Sequence, residues 1–327
     1  MAPAVKEKKI GILTSGGDAP GMNAAIRAIV RTAIYHNFKV IGIKRGYEGL
    51  LSGDIMDMNA KSVSDIIHRG GTILLTARCP EMMTDEGKDK AAQVCKILGL
   101  EALIVIGGDG SLQGAQALME RGVNVIGIPG TIDLDAPFTD YTIGFDTAVN
   151  TGMDAINKIR DTSSSHERCS VVEVMGRNCG QIALWCGLVG GAEEVLLPEK
   201  DNASNRESVI EQVIKNRSKG KTHNLIIVAE GVGGSVSLAK EIEKVTGIES
   251  RATILGNLQR GGTPTAVDRM HGGMMGYMAV ELIYNDQFNR VVAYKDGKHV
   301  SLDLMEALQM RHVYDDRLYD ITKILSI

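Results

Sequence analysis

The sequence predicts an α/β protein whose sheets are mainly parallel. Short apolar runs, several of which end in glycine, alternate with longer helical patterns over most of the chain. The short runs are mostly apolar throughout, as strands buried on both faces are. Regular alternation of strands and helices is typical of α/β proteins with parallel sheets.

Each predicted strand is a short apolar run, and helical patterns fill the intervals. The first helix follows Asp18-Ala19-Pro20-Gly21, and the second begins at Ser111, a residue suited to an N-cap, and is followed by Gly122. The predicted strands are 9–14, 40–44, 103–106, 125–128, 170–174, 195–197 and 225–229. The predicted helices are 22–35, 111–121, 147–159, 181–189, 204–218, 238–245 and 266–283.

Length and composition limit the classes of protein to consider. A chain of 327 residues can bury a large core and favours two domains. The net charge of −4 gives no reason to expect nucleic acid as a partner, so an anionic ligand has to be held by local basic groups. No signal-like segment and no run of about 18 apolar residues occurs, so no membrane association is expected. Five scattered cysteines without a Cys-x-x-Cys pair indicate free thiols in the cytoplasm.

Two glycine-rich segments follow predicted strands. The first, at 15–23, contains Gly-Gly-Asp and opens a predicted helix, and the second, at 107–111, repeats Gly-Gly-Asp. Glycine lets backbone N–H groups approach a phosphate closely, and a helix N-terminus favours anions. A tight strand-to-helix turn without a ligand would explain either segment alone. In open α/β sheets ligands lie beyond the carboxyl ends of strands, so both loops are expected to line one crevice.

Acidic residues follow two of the predicted strands. Asp109 is a candidate Mg²⁺ ligand, because Mg²⁺ prefers oxygen and needs few protein ligands, although an Asp here could also cap a helix. Asp133 and Asp135 flank Leu134 just after a Pro-Gly turn. If that segment is extended, both carboxylates face the same way. One could then bind a metal while the other accepts a hydroxyl proton, as phosphoryl transfer requires.

Arginine, the usual residue for bidentate phosphate binding, recurs near predicted strand ends. A lone arginine is more often a surface ion-pair partner, but two of these lie in glycine-rich loops. The set is Arg78, Arg168, Arg177, Arg251 and Arg260. No histidine has metal-ligand spacing and no Gly-x-Ser-x-Gly elbow occurs, so neither a zinc site nor a hydrolase triad is predicted. Gly220-Lys221-Thr222 lacks the rest of a Walker A loop.

These motifs together resemble the bacterial ATP-dependent 6-phosphofructokinases. The matching segments lie between residue 9 and about residue 269, whereas the C-terminal residues match weakly. They are LTSGGDAPGMNAAIR, VIGGDGS, PGTID, TDYTIGFDTA, RDTSSSH, VVEVMGR and RATILGNLQRGG. The resemblance implies two Rossmann-like domains of the phosphofructokinase type. Residues 1–144 with about 259–309 would bind ATP, and about 145–258 with 310–327 would bind fructose 6-phosphate.

The resemblance also implies a reaction and roles for individual residues. The γ-phosphoryl group of MgATP would pass to the 1-hydroxyl of fructose 6-phosphate, the committed step of glycolysis. Asp133 resembles the general base, Asp135 a partner near the metal, and Asp109 the acid of the Mg²⁺ site; Thr131 and Arg177 complete the catalytic set. The ATP-site residues would be Gly17, Arg78, Cys79, Gly108, Asp109, Gly110 and Ser111. The substrate contacts would be Thr131, Asp133, Asp135, Arg168, Met175, Gly176, Arg177, Glu230, Arg251, Asn257 and Arg260.

Regulation and assembly are implied in the same way. In the family, Arg168 and Arg251 reach into a neighbouring subunit's site, which implies a homo-oligomer, usually a tetramer. Positions that match an ADP or phosphoenolpyruvate effector site could also be plain solvated charges. They are Arg27, Arg31, Asp65, Arg160, Glu193, Lys219, Gly220, Lys221 and His223. Ala60 and Thr222 stand where some members have basic residues, which leaves the effector affinity open.

Two residues depart from the family pattern at the predicted site. Leu134 replaces an Asn often found between the two aspartates. Asn257 replaces a His that contacts the 6-phosphate, and because Asn carries no charge we expect weaker binding of the sugar phosphate. Gly110 and Gly130 stand where pyrophosphate-using relatives typically carry Asp and Lys, which favours ATP as the donor.

Three alternatives to the ATP-dependent kinase remain open on sequence alone. The first is a pyrophosphate-dependent phosphofructokinase. The second is a NAD or lipid kinase with a Gly-Gly-Asp-Gly motif, which would lack the PGTID and MGR segments in this arrangement. The third is a catalytically weak regulatory subunit that binds metabolites, supported only by Leu134 and Asn257.

Overall fold

The computed structural model describes residues 8–200, 206–311 and 316–326. These residues divide into two compact units, each with its own sheet. Unit 1 takes the described residues of Met1–Ile132, Ala136–Asp146 and Arg260–His312, and unit 2 those of Asp133–Asp135, Thr147–Gln259 and Val313–Ile327. None of the helices in the described part of the chain combines the length and apolarity needed to cross a lipid bilayer.

Strands and helices alternate along the chain as the fold class requires. The strands are β1 (Lys9–Ser15), β2 (Lys39–Ile43), β3 (Ile55–Met58), β4 (Ala102–Gly107), β5 (Val125–Pro129), β6 (Cys169–Val174), β7 (Glu194–Leu196), β8 (Asn224–Ala229), β9 (Ser250–Ile254), β10 (Arg290–Lys295) and β11 (Lys298–Asp303). The helices are α1 (Met22–Tyr35), α2 (Gly46–Ser52), α3 (Asp85–Leu98), α4 (Asp109–Met119), α5 (Phe145–His166), α6 (Gln181–Gly190), α7 (Arg206–Ser218), α8 (Ser235–Thr246), α9 (Ala266–Tyr284), α10 (Leu304–Gln309) and α11 (Asp316–Leu325).

Unit 1 is built on a seven-stranded sheet in the order β11-β10-β5-β4-β1-β2-β3. The five central strands are parallel, and the edge strands β3 and β11 run antiparallel to their neighbours. Ser15 lies beside Gly107, and Gly107 lies beside Pro129, so β1, β4 and β5 end level with one another. The loops that follow these three strands therefore start at the same edge of the sheet.

Unit 2 contains a four-stranded sheet in the order β7-β8-β6-β9, and all its strands are parallel. Cys169 at the start of β6 lies beside Asn224 and Ser250, the first residues of β8 and β9. Buried aliphatic side chains of the sheet pack against α7 and α8. This unit thus has its own core and two well-defined sheet edges, an amino edge and a carboxyl edge.

The predicted α/β class with mainly parallel sheets is confirmed, and all seven predicted strands are present. Helix α1 matches its prediction at both ends. Helix α4 begins at Asp109, so the expectation that Ser111 is its N-cap is wrong: Gly108 holds that position and Ser111 lies in the first turn. The predicted start of the helix at 204–218 lies outside the described residues, and α7 is described from Arg206.

Among the missed elements, the edge strand β11 and the start of helix α3 lack a strong apolar pattern. Strand β11 has the sequence KHVSLD and is only half-buried, because it lies at the edge of the sheet. Helix α3 begins with the polar run DEGKDK and is held by Thr84, whose side chain accepts from the Gly87 N–H. The other elements absent from the prediction are β3, β9, β10, α2, α10 and α11.

Helices α1 and α9 approach each other through glycine. A Cβ on Gly272 would lie 2.8 Å from the carbonyl oxygen of Gly21, and a Cβ on Gly276 would lie 2.6 Å from that of Ala25. Any side chain at either position would push the helices apart. This contact fixes the first turn of α1, which follows the glycine-rich segment after β1.

A buried cluster of rings joins α9 to the hairpin formed by β10 and β11. His271 stacks on Tyr141 with ring centroids 4.0 Å apart, and its Nδ1 lies 3.1 Å from Nε2 of His299. The Tyr141 hydroxyl and the Gly144 N–H both donate to Oδ1 of Asp268, each at 2.6 Å. Burial and the neighbouring His299 lower the pKa of His271 to about 4, although the charge of Asp146 opposes the shift.

We expect this cluster to make unit 1 sensitive to acid. The unfolded chain protonates His271 near its ordinary pKa of 6.5, whereas the folded chain does so only near pH 4. Stability is therefore complete above pH 6.5 and falls as the pH drops toward 4, by on the order of 2 kcal/mol at pH 5. His271→Gln should remove most of the difference between the urea unfolding midpoints at pH 7 and pH 5.

His68→Gln is the matched control, because His68 is exposed. It should keep the pH dependence of the wild type. An H271Q variant that loses stability between pH 7 and pH 5 as steeply as H68Q would show that His271 is not the sensitive group.

Candidate functional site

The three loops after β1, β4 and β5 come into contact at the carboxyl edge of unit 1. A Cβ on Gly16 would lie 3.2 Å from Oγ of Ser111, and a Cβ on Gly108 would lie 3.5 Å from Cβ of Thr131. Glycine is needed at the first position because its φ is +84°. The edge thus presents closely spaced backbone with little side-chain cover, which is the kind of surface that can hold phosphate groups.

The N-terminus of α4 points at this edge without a capping side chain. Its N-cap residue is Gly108, and no side chain accepts a hydrogen bond from the first turn. The positive end of the helix dipole and its N–H groups therefore attract an anion.

Asp109 is the first residue of α4 and is exposed, and its Oδ2 accepts a hydrogen bond from Nε2 of Gln113 at 2.7 Å. Among the described residues, no three side chains of His, Cys, Asp or Glu converge closely enough to hold a metal ion. A cation at Asp109 would need most of its ligands from a substrate and water. Mg²⁺ binds in that way, so the residues present fit it.

The loop that carries Arg78 and Cys79 is tied to the first glycine segment. Oγ1 of Thr76 donates to the carbonyl oxygen of Gly16 at 2.6 Å, and a 3₁₀ turn, Pro80–Met83, follows. Burial raises the pKa of the half-buried Cys79 thiol, which therefore stays protonated at neutral pH. The structure thus brings these two predicted nucleotide contacts toward the loop that contains Gly17.

Arg260, predicted from the resemblance as a sugar-phosphate contact, lies over the same glycine loop. A Cβ on Gly17 would lie 2.5 Å from its Nη1, which donates to the carbonyl oxygen of Asp18 at 3.3 Å. Glycine at position 17 leaves the space that this guanidinium occupies.

The segment Asp133–Asp135 belongs to unit 2 and is not extended, because Leu134 has a φ of +52°. The condition under which the two carboxylates were expected to point the same way, an extended segment, is therefore not met. Both carboxylates nevertheless lie near the Cys179 thiol, because the charges of Asp135 and Asp133 help to raise its pKa. Asp133 is buried.

Cys179 supports the turn between the two aspartates. Its thiol donates to the carbonyl oxygen of Leu134 with an Sγ to O distance of 3.8 Å. Burial, with the charges of Glu199 and the two aspartates, raises the pKa of this thiol to about 12. Cys179 therefore remains a neutral donor at physiological pH, a role that the sequence did not suggest.

The loop after β6 is held by two polar side chains. The Arg177 N–H donates to Oε2 of Glu230 at 3.2 Å, and the Met175 N–H donates to Oε1 of Gln259 at 2.8 Å. Gly176 and Arg177 both have positive φ, +143° and +55°. Sequence reasoning missed Gln259, a fully buried polar residue whose partner Met175 is distant in sequence.

The predicted sugar-phosphate contacts of unit 2 lie at opposite edges of its sheet. Residues 175–177 follow the carboxyl end of β6, and Asn257 follows that of β9. In contrast, Arg168 precedes β6 and Arg251 lies near the start of β9. A strand of six residues is about 20 Å long. The two arginines are therefore remote from the carboxyl edge of their own sheet.

Several residues that match an effector site lie at the amino edge of unit 2. Nζ of Lys221 is 2.8 Å from Oε1 of Glu193, just before β7, and His223 just precedes β8. Nη2 of Arg160 donates to the carbonyl oxygens of Gly190 and Gly191, at the C-terminal end of α6. Lys219 and Gly220 follow α7 directly, whereas Arg27 and Arg31 on α1 and the loop residue Asp65 belong to unit 1.

Comparison with known proteins identifies relatives along nearly the whole chain. The family profile described as Phosphofructokinase matches residues 9–283. A protein of Clostridium botulinum strain Hall, named ATP-dependent 6-phosphofructokinase, is 58% identical over 319 residues, 98% of this chain and 99% of that protein. A Clostridium acetobutylicum protein of the same name is 57% identical over the same shares of both chains.

A solved structure of similar fold comes from yeast. Phosphofructokinase of Pichia pastoris in the T-state matches with a TM-score of 0.88 and 36% identity, over 93% of this chain. The match covers only 38% of the yeast chain, so this chain is less than half as long as that relative.

We expect the left-handed backbone at Leu134 to make this position intolerant of β-branching. Leu134→Ile keeps the atoms of the side chain but places a branch at Cβ, which is strongly disfavoured at positive φ. The variant should lose on the order of 1 kcal/mol in the free energy of unfolding, and its turnover should fall because Asp133 and Asp135 flank the turn. Urea unfolding and steady-state kinetics measure the two effects.

Leu302→Ile is the matched control, since Leu302 is half-buried in β11, where β-branched residues are favoured. If L134I proves no less stable than L302I, the strain assigned to the turn at Leu134 does not exist.

Proposed function

The chain belongs to the phosphofructokinase family, and we propose that it transfers the γ-phosphoryl group of ATP to the 1-hydroxyl of fructose 6-phosphate. The observation that carries this function is the 58% identity, over 98% of this chain and 99% of the relative, to a protein named ATP-dependent 6-phosphofructokinase. The product is fructose 1,6-bisphosphate, formed at the committed step of glycolysis. The same identity disfavours the pyrophosphate-dependent, NAD-kinase, lipid-kinase and purely regulatory alternatives.

We propose that unit 1 binds the nucleotide. Its carboxyl edge offers the backbone of Gly17, Gly108 and Gly110 and the N-terminus of α4, all suited to phosphate oxygens. Ser111 lies against the first glycine loop, and Arg78 and Cys79 follow the segment anchored by Thr76.

A magnesium ion at this edge would be held by Asp109, whose exposed carboxylate lies at the N-terminus of α4. When bound with ATP, Mg²⁺ neutralises part of the charge on the phosphates.

Asp133 is the proposed general base. A sugar hydroxyl is a poor nucleophile at neutral pH, and a carboxylate within hydrogen-bond reach accepts its proton as the transition state forms. Asp135, on the other side of the left-handed Leu134, would act near the metal and the transferred group, as the resemblance implies. Thr131 and Arg177 would donate hydrogen bonds to the developing charge on the phosphoryl oxygens.

Unit 2 is the proposed fructose 6-phosphate domain. Its carboxyl edge supplies Met175, Gly176, Arg177 and Glu230, with Asn257 in the following 3₁₀ turn Gly256–Arg260. Arg260, the last residue of this 3₁₀ turn, is a further proposed contact, and its Nη1 donates to the carbonyl oxygen of Asp18.

We propose a homo-oligomer, with a tetramer as the expected size, and the placement of two arginines supports this proposal. Arg168 precedes β6 and Arg251 is the second residue of β9, whereas the other proposed phosphate contacts of unit 2 follow the carboxyl ends of its strands. In this proposal the two arginines serve a phosphate bound in a second copy. An apolar stripe on α9 supports such an interface, because its residues are exposed and recur at helical spacing. The stripe consists of Val267, Met270, Met274, Tyr277 and Tyr284.

Regulation by ADP or phosphoenolpyruvate is proposed for the basic groups at the amino edge of unit 2 together with Arg27 and Arg31. Lys221 and Arg160 already bind Glu193 and the end of α6, so an anionic effector would have to share or displace these contacts. The cytoplasm is the proposed location, where the five cysteines, all free in the structure, would stay reduced.

Asp133→Asn tests the proposed base. The variant keeps the shape of the side chain but cannot accept the proton, so kcat should fall by about 10²- to 10⁴-fold while fructose 6-phosphate still binds. A coupled assay for fructose 1,6-bisphosphate measures kcat, and calorimetry measures binding. Asp154→Asn, at an exposed position on α5, is the control and should retain activity. Wild-type turnover in D133N would remove Asp133 from its role.

Gly110→Asp tests the identity of the phosphoryl donor. A Cβ on Gly110 meets no atom within 4 Å, so the variant should fold normally, whereas Gly130 has Cγ2 of Ile106 2.9 Å from its Cβ position and accepts no side chain. The new carboxylate should repel the nucleotide and lower kcat/KM for ATP by on the order of 100-fold.

Gly110→Asn introduces a side chain of the same size as aspartate but without the charge, so its kcat/KM for ATP should fall much less. Equal losses in the two variants would show that size rather than charge matters. Wild-type activity with pyrophosphate but not with ATP would overturn the donor assignment.

A further inference from the structure

One carboxylate in unit 2 binds both of the arginines that lie at its amino edge. Nε of Arg168 is 2.7 Å from Oε2 of Glu249, and Nη2 of Arg251 is 2.6 Å from Oε1 of the same side chain. Each oxygen of Glu249 thus holds one guanidinium. The two ion pairs hold the pKa of Glu249 below its ordinary range, chiefly through Arg168.

The backbone fixes the three residues beside one another. The Cys169 N–H donates to the carbonyl oxygen of Glu249 at 3.0 Å, and Arg251 lies beside Ser170 in the parallel register of β6 and β9. The side chains are only partly covered, and that of Arg251 is 66% exposed. The guanidinium groups can therefore exchange one anion for another without any change in the strands.

The carboxylate stands where a phosphate group would bind. A phosphate monoester presents several oxygens to two guanidinium groups, and arginine pairs with phosphate and with carboxylate in similar geometry. With Glu249 in place, the three side chains have a net charge of +1, whereas the arginines alone have +2. Glu249 therefore weakens the attraction of this cluster for a dianion.

We infer that Glu249 is an internal competitor of the sugar phosphate, which holds Arg168 and Arg251 until a phosphate monoester displaces it. This inference rests on the proposed function, in which the two arginines serve the 6-phosphate in a second copy. Glu249 then sets the concentration of fructose 6-phosphate at which the site fills, without touching the transferred phosphoryl group.

Glu249→Gln is the test, because it removes the charge and keeps the shape. The fructose 6-phosphate concentration at half-maximal rate should fall about three- to tenfold, and the effect should appear in this constant rather than in kcat or in the half-saturation for ATP. Binding of fructose 6-phosphate measured by calorimetry should tighten by the same factor. Glu243→Gln, at an exposed position on α8 of the same unit, should behave as the wild type.

Glu249→Asp gives a second, independent measurement, since its shorter carboxylate cannot reach both arginines and should shift the constant in the same direction by a smaller factor. An unchanged constant in E249Q and E249D would overturn the inference, as would weaker binding, which would show that Glu249 instead positions the arginines. Arg251→Ala distinguishes a failure of the proposed function from a failure of the inference about Glu249. If this variant leaves the half-saturating concentration of fructose 6-phosphate unchanged, the proposed role of the arginines is wrong, whatever the result for Glu249.

Discussion

The parallel register of β1, β4 and β5 is the constraint on which the candidate nucleotide site depends. Because Ser15, Gly107 and Pro129 are neighbours across the sheet, the same pairing that forms the sheet also brings the loops that follow into contact. Glycine at 16 then leaves room for the Ser111 hydroxyl, which would lie 3.2 Å from a Cβ at that position. The N-terminus of α4 adds its dipole to an edge that hydrogen bonding between the strands has already assembled.

The sequence predicted the parts of the fold whose residues are buried on both sides. The central strands were visible as apolar runs, whereas β11 at the edge and the polar start of α3 were not, because neither contains a continuous apolar run. At the site, the residue types were informative but their geometry was not. The positive φ of Leu134 and the contacts of Gln259 and Cys179 depend on neighbours that are distant in sequence, so no local pattern reveals them.

Two of the non-glycine residues with a left-handed backbone lie where chemistry is proposed. Leu134 and Arg177 both adopt positive φ without being glycine, and each is held by a hydrogen bond from or to a residue of the same unit, Cys179 and Glu230. Such conformations persist only when their surroundings determine them. The buried Cys179 thiol and the Glu230 carboxylate therefore support the backbone of the site.

The glycine contact between α1 and α9 has a consequence for engineering more heat-resistant forms of the protein. Replacing helical glycine by alanine commonly stabilises proteins by restricting the unfolded chain. On α9 that strategy is closed at Gly272 and Gly276, where a methyl group would strike the backbone of α1, but it is open at Gly273, which has no atom within 4 Å of its Cβ position. Of these three glycines in one helix, only Gly273 can therefore be replaced without moving a neighbour.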